Sequence, residues 1–103
     1  MSYSAYGLRG ILMNKEFYIE KANLLKALSN PVRLCIINRL CQEGEKNVTD
    51  FVNCMEVSQS AISQHLAILR NYGIISGEKI GNKIYYSCVN QEVRNLITML
   101  LKE

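Results

Sequence analysis

No stretch of this 103-residue chain approaches the roughly 18 consecutive apolar residues of a membrane span, and no basic segment followed by a long apolar run opens it. Neither a membrane span nor a secretory signal is therefore expected, and the default compartment is the cytoplasm. Histidine occurs once, at His65, and the four cysteines (Cys35, Cys41, Cys54 and Cys88) form no C-x-x-C pair. Zinc-finger spacing is absent, and no metal or other cofactor is expected. No nucleophile–base pair and no glycine-rich phosphate loop is visible, and a single histidine leaves little general acid–base chemistry, which argues against an enzyme. Repeats, low-complexity segments and domain linkers are missing too. In a reducing compartment the thiols should stay free, and their plain reading is as small core residues.

What is present is enough apolar material for a core. Hydrophobic residues make up 49% of the chain, which suits one folded domain. A domain this short leaves apolar surface uncovered, and dimerisation is a common remedy. The net charge of +3 permits binding to nucleic acid without arguing for it. Residues 1–13, with Tyr3, Tyr6, Gly7 and Gly10, show no clean period and read as a loosely ordered arm; 14–103 read as the domain.

Periodicity orders that domain as α-α-α-α-β-β-α, mainly α with a small hairpin. The first helix runs from Asn14 to Leu28, with Phe17, Ala22, Leu24, Leu25 and Leu28 apolar. Asn30 is a good N-cap and Pro31 suits the first position of a second helix, which reaches about Gln42 through Leu34, Ile37, Leu40 and Cys41. Gly44 is placed to end it. Asn47 can cap a short third helix bearing Val48, Phe51, Val52 and Met55. After the turn Glu56-Val57-Ser58, Ser58 caps a fourth helix from Gln59 to Tyr72, stopped by Gly73. Ile74, Ile75 and Ile80 lie on one β run and Ile84, Tyr85 and Tyr86 on the next, joined by Gly81-Asn82, a pair suited to a tight hairpin. Asn90 caps a last helix carrying Val93, Leu96, Ile97, Leu100 and Leu101.

The most informative stretch is Asn47 to Leu69, a short helix, a three-residue turn and a second amphipathic helix: a helix-turn-helix. Ile62, Leu66 and Leu69 point inward. Outward go Ser58, Gln59, Ser60, Ser63, Gln64 and Arg70, a face almost without charge, whereas ordinary surface helices carry many Lys and Glu. Short hydroxyl and amide side chains are what base edges in the major groove can read, and a recognition helix presents its N-terminal residues to them. The hairpin that follows carries Lys79 and Lys83 at its tip and reads as a wing whose ammonium groups grip phosphates. His65 reads either as a partly buried, hydrogen-bonded side chain or as a DNA contact. A winged-helix module that binds protein and not DNA is the alternative function.

Leu24-Leu25-Lys26-Ala27-Leu28-Ser29-Asn30-Pro31-Val32-Arg33-Leu34 and Val57-Ser58-Gln59-Ser60-Ala61-Ile62-Ser63-Gln64-His65-Leu66 resemble the ArsR/SmtB family of bacterial repressors. Leu69-Arg70-Asn71-Tyr72-Gly73-Ile74-Ile75 and Gly81-Asn82-Lys83-Ile84-Tyr85-Tyr86-Ser87 complete a likeness running from Asn14 to Leu101. It implies a winged helix-turn-helix homodimer that represses transcription at a near-palindromic DNA operator and lets go on meeting a small inducer. The first and last helices build the dimer interface in that family, which assigns Phe17, Leu24, Leu25, Val93, Leu96, Leu100 and Leu101 to it.

The family's metal sites are not matched. Where many members carry Cys-x-Cys in the third helix, this chain has Asn47 and Thr49, and its last helix has no histidine. The resemblance is therefore to members that lack metal. Some of these sense thiol-reactive species through one cysteine on the second helix and one near the last, which makes Cys35, Cys41 and Cys88 candidates. The fit is incomplete, because a relative's second-helix cysteine would fall near Asn38. Cys35 and Cys41 are themselves about 240° apart around their helix and cannot pair with each other.

Overall fold

A computed structural model of the chain describes residues 14–102; the expected arm, 1–13, lies outside them. Among the described residues, five helices and one hairpin follow in the anticipated order: α1 (Lys15–Leu28), α2 (Pro31–Glu43), α3 (Val48–Met55), α4 (Gln59–Asn71), β1 (Ile75–Ile80), β2 (Lys83–Cys88) and α5 (Gln91–Leu100). Local chemistry accounts for most of the boundaries. Asn30 Oδ1 accepts from the amides of Val32 and Arg33 (2.9 and 3.2 Å), and Pro31 fills the first position of α2, whose own amide would have been orphaned. Gly44, with φ of 87°, closes α2 where a side chain would be strained. At α3 the Asn47 side chain accepts from the Asp50 amide (3.1 Å) while Asp50 Oδ2 accepts from the Asn47 amide (2.9 Å), a reciprocal capping box. Ser58 caps α4 through the Ala61 amide and Asn90 caps α5 through the Val93 amide.

The core is one cluster. α2 runs through its middle, packing on α1, α4, α5 and β2, and Ile36, Ile37 and Leu40 are buried along it. Ile36 escapes the periodic reading, which favours Leu34 and Cys41. Both of those are only partly buried, because a helix enclosed by four neighbours buries a wider arc than one apolar stripe. Phe51 anchors α3, Ile62, Leu66 and Leu69 anchor α4 as expected, and Val93 and Ile97 anchor α5. Between α3 and α4, Glu56 adopts left-handed backbone (φ 50°, ψ 38°) and turns the chain sharply.

β1 and β2 pair antiparallel from Ile75↔Cys88 to Ile80↔Lys83, leaving Gly81-Asn82 as the loop. Only the first loop residue has positive φ (66°), the pattern of a II′ turn. The hairpin does not stand alone. Tyr86 and Lys46 exchange both backbone hydrogen bonds (3.1 and 2.7 Å), so the residue before the α3 cap serves as a third, one-residue strand. Gly77 sits opposite Tyr86, and a Cβ there would lie 2.8 Å from Ile84 Cγ2 and 3.0 Å from the Tyr86 ring. The missing side chain lets that ring lie across the neighbouring strand.

Candidate nucleic-acid interface

Capping, packing and the Lys46–Tyr86 bridge together bring the start of α3, the start of α4 and the wing tip to one place. They border an open cleft of about 390 Å³, lined by Asn47, Val48, Thr49, Gln59, Ser63, Asn82, Lys83, Ile84 and Tyr86. Three of the residues singled out from sequence, Gln59, Ser63 and Lys83, meet there. Gln59 and Ser63 stand four apart, one turn along the outer side of α4. Ser60 and Gln64, equally exposed, do not line the cleft. Ser58 is committed in part, its Oγ accepting from the Ala61 amide at 3.1 Å. Arg70 is exposed in the last turn of α4, eleven residues and so about 16 Å from Gln59. Lys79 and Lys83 lie on opposite faces of the ribbon, since Lys79↔Ile84 and Ile80↔Lys83 are successive pairs.

Sequence reading missed Thr49, Asn82 and the lining role of Asn47. The Asn47-x-x-Asp50 spacing was an available sign that a helix N-terminus opens there, with free amides that favour an anion. Beside the exposed Ile84, the exposed side chains of the cleft are amides, hydroxyls and one ammonium group. They can read base edges and hold a phosphate; they include no carboxylate that would repel a polyanion.

Away from the cleft, α1 and α5 lie side by side. Lys21 Nζ bonds Glu92 Oε1 at 2.7 Å over a hollow of about 220 Å³ lined by Leu24, Leu25, Leu28, Val93 and Leu96. Of the seven residues assigned to a dimer interface, Leu24 and Val93 face this protomer's own core, and Leu96 and Leu101 are partly buried. Phe17, Leu25 and Leu100 are 52%, 57% and 61% exposed. Tyr18, Ile19 and Met99, not anticipated, extend the exposed apolar surface of these two helices.

The cysteines do not share one environment. Cys88 is buried, Cys41 half-buried, and Cys35 and Cys54 exposed, so the plain reading as core residues holds fully for Cys88 only. Cys41 lies near enough to Cys88 to be influenced by it: burial, then Cys88, push the Cys41 thiol up to about 11, while Cys88 Sγ itself donates to the carbonyl of Asn90 at 3.8 Å. Cys35 belongs elsewhere, beside Arg39. His65 is half-buried and hydrogen-bonded to Arg33, the first of its two expected readings. Among the described residues no cluster of His, Cys, Asp and Glu could hold a metal ion, and no helix is long and apolar enough to cross a membrane.

A short helix, a three-residue turn, a second helix with an uncharged outer face and a β-hairpin docked beside it define a winged helix-turn-helix protein. Residues 30–76 match the model of the arsR family of bacterial regulatory proteins. The chain is 36% identical over 81 residues to the transcriptional repressor PagR of Bacillus anthracis, covering 79% of this chain and 81% of PagR. The crystal structure of PagR superposes with a TM-score of 0.77, covering 84% of this chain and 98% of that one. Reduced HlyU from Vibrio cholerae superposes with a TM-score of 0.79 at 36% identity, over 87% and 93% of the two chains. The homodimeric winged helix-turn-helix DNA-binding domain Mb0332 of Mycobacterium bovis gives 0.78 at 25% identity, over 85% and 81%. Two other curated relatives are longer, and the chain spans 62% and 61% of them. This chain belongs to the arsR family, and its role is transcriptional regulation and not catalysis.

Proposed function

We propose that the protein is a cytoplasmic, sequence-specific repressor that binds operator DNA as a homodimer and is released by a small inducer. One observation carries the reading: the open cleft bordered by Gln59 and Ser63 of α4 and by Lys83 of the wing, uncharged apart from that lysine. In this reading Gln59, Ser63 and the neighbouring Ser60 and Gln64 contact bases or the backbone next to them. Ser58 and the first amides of α4 approach a phosphate, and Lys79, Lys83 and Arg70 contact phosphates along the flanks. Residues 14–103 form the DNA-binding and dimerisation domain and 1–13 an arm to it. The dimer forms through α1 and α5, a reading supported by the exposed Phe17, Leu25 and Leu100 and by the homodimer described for Mb0332. Repression, and not activation, follows PagR; HlyU of Vibrio cholerae is named a transcriptional activator.

A thiol-reactive inducer would act through Cys41 and Cys88, the candidate pair of which one thiol influences the other. The test of the main reading is fluorescence anisotropy on DNA from the region upstream of the protein's own gene. Gln59→Ala with Ser63→Ala should cost about 1–3 kcal/mol for each hydrogen-bonded base that goes unread, and should relax base preference. Lys83→Ala should weaken binding evenly across sequences and flatten the dependence on salt by about one phosphate contact. Unchanged affinity and preference in the first variant would remove α4 from the role of recognition helix.

A further inference from the structure

His65 is the single histidine of the chain and stands in the middle of α4, next to the outward Ser63 and Gln64 and the buried Leu66. Its Nδ1 lies 3.1 Å from Nη1 of Arg33 on α2. A guanidinium offers only donors, so Nδ1 must accept and the ring must be the neutral tautomer with its proton on Nε2. Through Nε the same guanidinium donates to the carbonyl of Ala27 at 2.6 Å, one of the last carbonyls of α1. One side chain thus ties the ends of α1 and α2 to the middle of α4, and the tie exists for the neutral imidazole alone. A proton on Nδ1 would set donor against donor and cation against cation at hydrogen-bond distance.

Among the described residues no carboxylate bonds to the ring or acts on its charge. Facing this corner, α2 supplies Arg33 and α1 supplies Lys26, which shares the rim of the adjoining cavity with Arg33. The other charges of the elements packed on α4 are Lys15, Glu16, Glu20 and Lys21 of α1, Arg39 and Glu43 of α2, Asp50 of α3, Glu56 of the turn, Arg70 of α4 itself, and Glu78 and Lys79 of β1. Of all these, Arg33 is the one whose charge acts on the ring. Burial first, and Arg33 second, hold the ring below the ordinary histidine range.

We propose that His65 and Arg33 are positioning residues for operator binding: the contact of the neutral ring with the guanidinium sets α4 against the α1–α2 corner, and protonation of His65 undoes it and loosens the hold on DNA. The proposal rests on reading α4 as the helix that enters the groove. Its sign is distinctive. Operator affinity falls as pH drops through the pKa of the ring in the free protein, by at most about tenfold per pH unit for each histidine. A histidine that merely touched phosphate would give the reverse, since a phosphate favours the imidazolium.

The experiment measures operator affinity of the full chain from pH 8 to pH 5.5 at constant salt, for wild type, His65→Asn and Arg33→Ala. The ring of the wild type and of Arg33→Ala is titrated in parallel by nitrogen NMR, which the single histidine makes unambiguous. Asparagine places an acceptor oxygen near the position of Nδ1. His65→Asn is therefore expected to match wild type at pH 8 and to lose the acid slope, whereas Arg33→Ala binds more weakly at pH 8. The ring should show the Nε2–H tautomer and a pKa that rises when Arg33 is removed. A slope of opposite sign, a slope that survives in His65→Asn, or a ring pKa indifferent to Arg33→Ala would each overturn the proposal. Binding with a flat profile would overturn it alone; absence of operator binding at every pH would overturn the reading of α4 and this proposal with it.

Discussion

Gly77→Ala should destabilise the protein although it removes a glycine from a strand. Its backbone φ is not positive, so alanine has no dihedral strain to suffer. Reducing the freedom of the unfolded chain should by itself stabilise by about 0.5–1 kcal/mol. Against that stands the space. The new methyl would lie 2.8 Å from Ile84 Cγ2 and 3.0 and 3.2 Å from two atoms of the Tyr86 ring. Ile84 is 38% exposed and can rotate away. Tyr86 is 9% exposed, and its backbone is held on both hydrogen bonds to Lys46, so the ring has little room to yield. Overpacking of this kind costs about 1–3 kcal/mol. At mid-range the balance is a net loss of about 1 kcal/mol, read as a lower urea midpoint at unchanged slope. Since Tyr86 also lines the cleft, operator affinity should fall as well. Ile84→Ala in the same chain relieves the shortest of the three approaches, and a double-mutant cycle should return part of the loss. A Gly77→Ala variant as stable as wild type, or more so, would refute the argument that Tyr86 cannot move.

Three further outcomes follow from exposure and proximity. Leu25→Glu with Leu100→Glu changes two side chains that are more than half exposed, so the folded protomer should survive while self-association is lost; sedimentation equilibrium that still finds a dimer would move the interface off α1 and α5. Iodoacetamide should label Cys35 and Cys54 first at neutral pH, because both are exposed, while Cys41 reacts slowly and gains rate up to about pH 11 as its thiolate forms. Peptide mapping after a mild oxidant should find Cys41 joined to Cys88; a Cys35–Cys88 bridge would contradict the packing.

Much of the architecture was legible because the local signals agree. Asn30-Pro31, Asn47, Ser58 and Asn90 each start a helix by hydrogen-bonding chemistry that depends on a few neighbouring residues. The three-and-four spacing of Ile62, Leu66 and Leu69 defines the inner side of α4, and hence the outer side, without knowledge of what it packs on. Gly81-Asn82 between two apolar runs needs only the twist of paired strands to become a hairpin. The α1–α5 surface was harder to read. Leu24 and Leu25 are adjacent apolar residues, yet one enters the core and the other faces out, a choice set by where α1 lies against its neighbours.

By itself the sequence determined the order of elements, the helix-turn-helix, the wing and the residues that α4 turns outward, since caps, turns and periodicity act within a few residues of chain. Tertiary structure alone decided which of those residues share a cleft, because Gln59 and Lys83 meet only once Lys46 bonds Tyr86 and fixes the wing beside α3. It also decided that Cys41 meets Cys88 and that Arg33 meets His65. Those contacts join positions 47 and 32 residues apart, and their geometry comes from the burial of α2 among its neighbours, which no local pattern encodes.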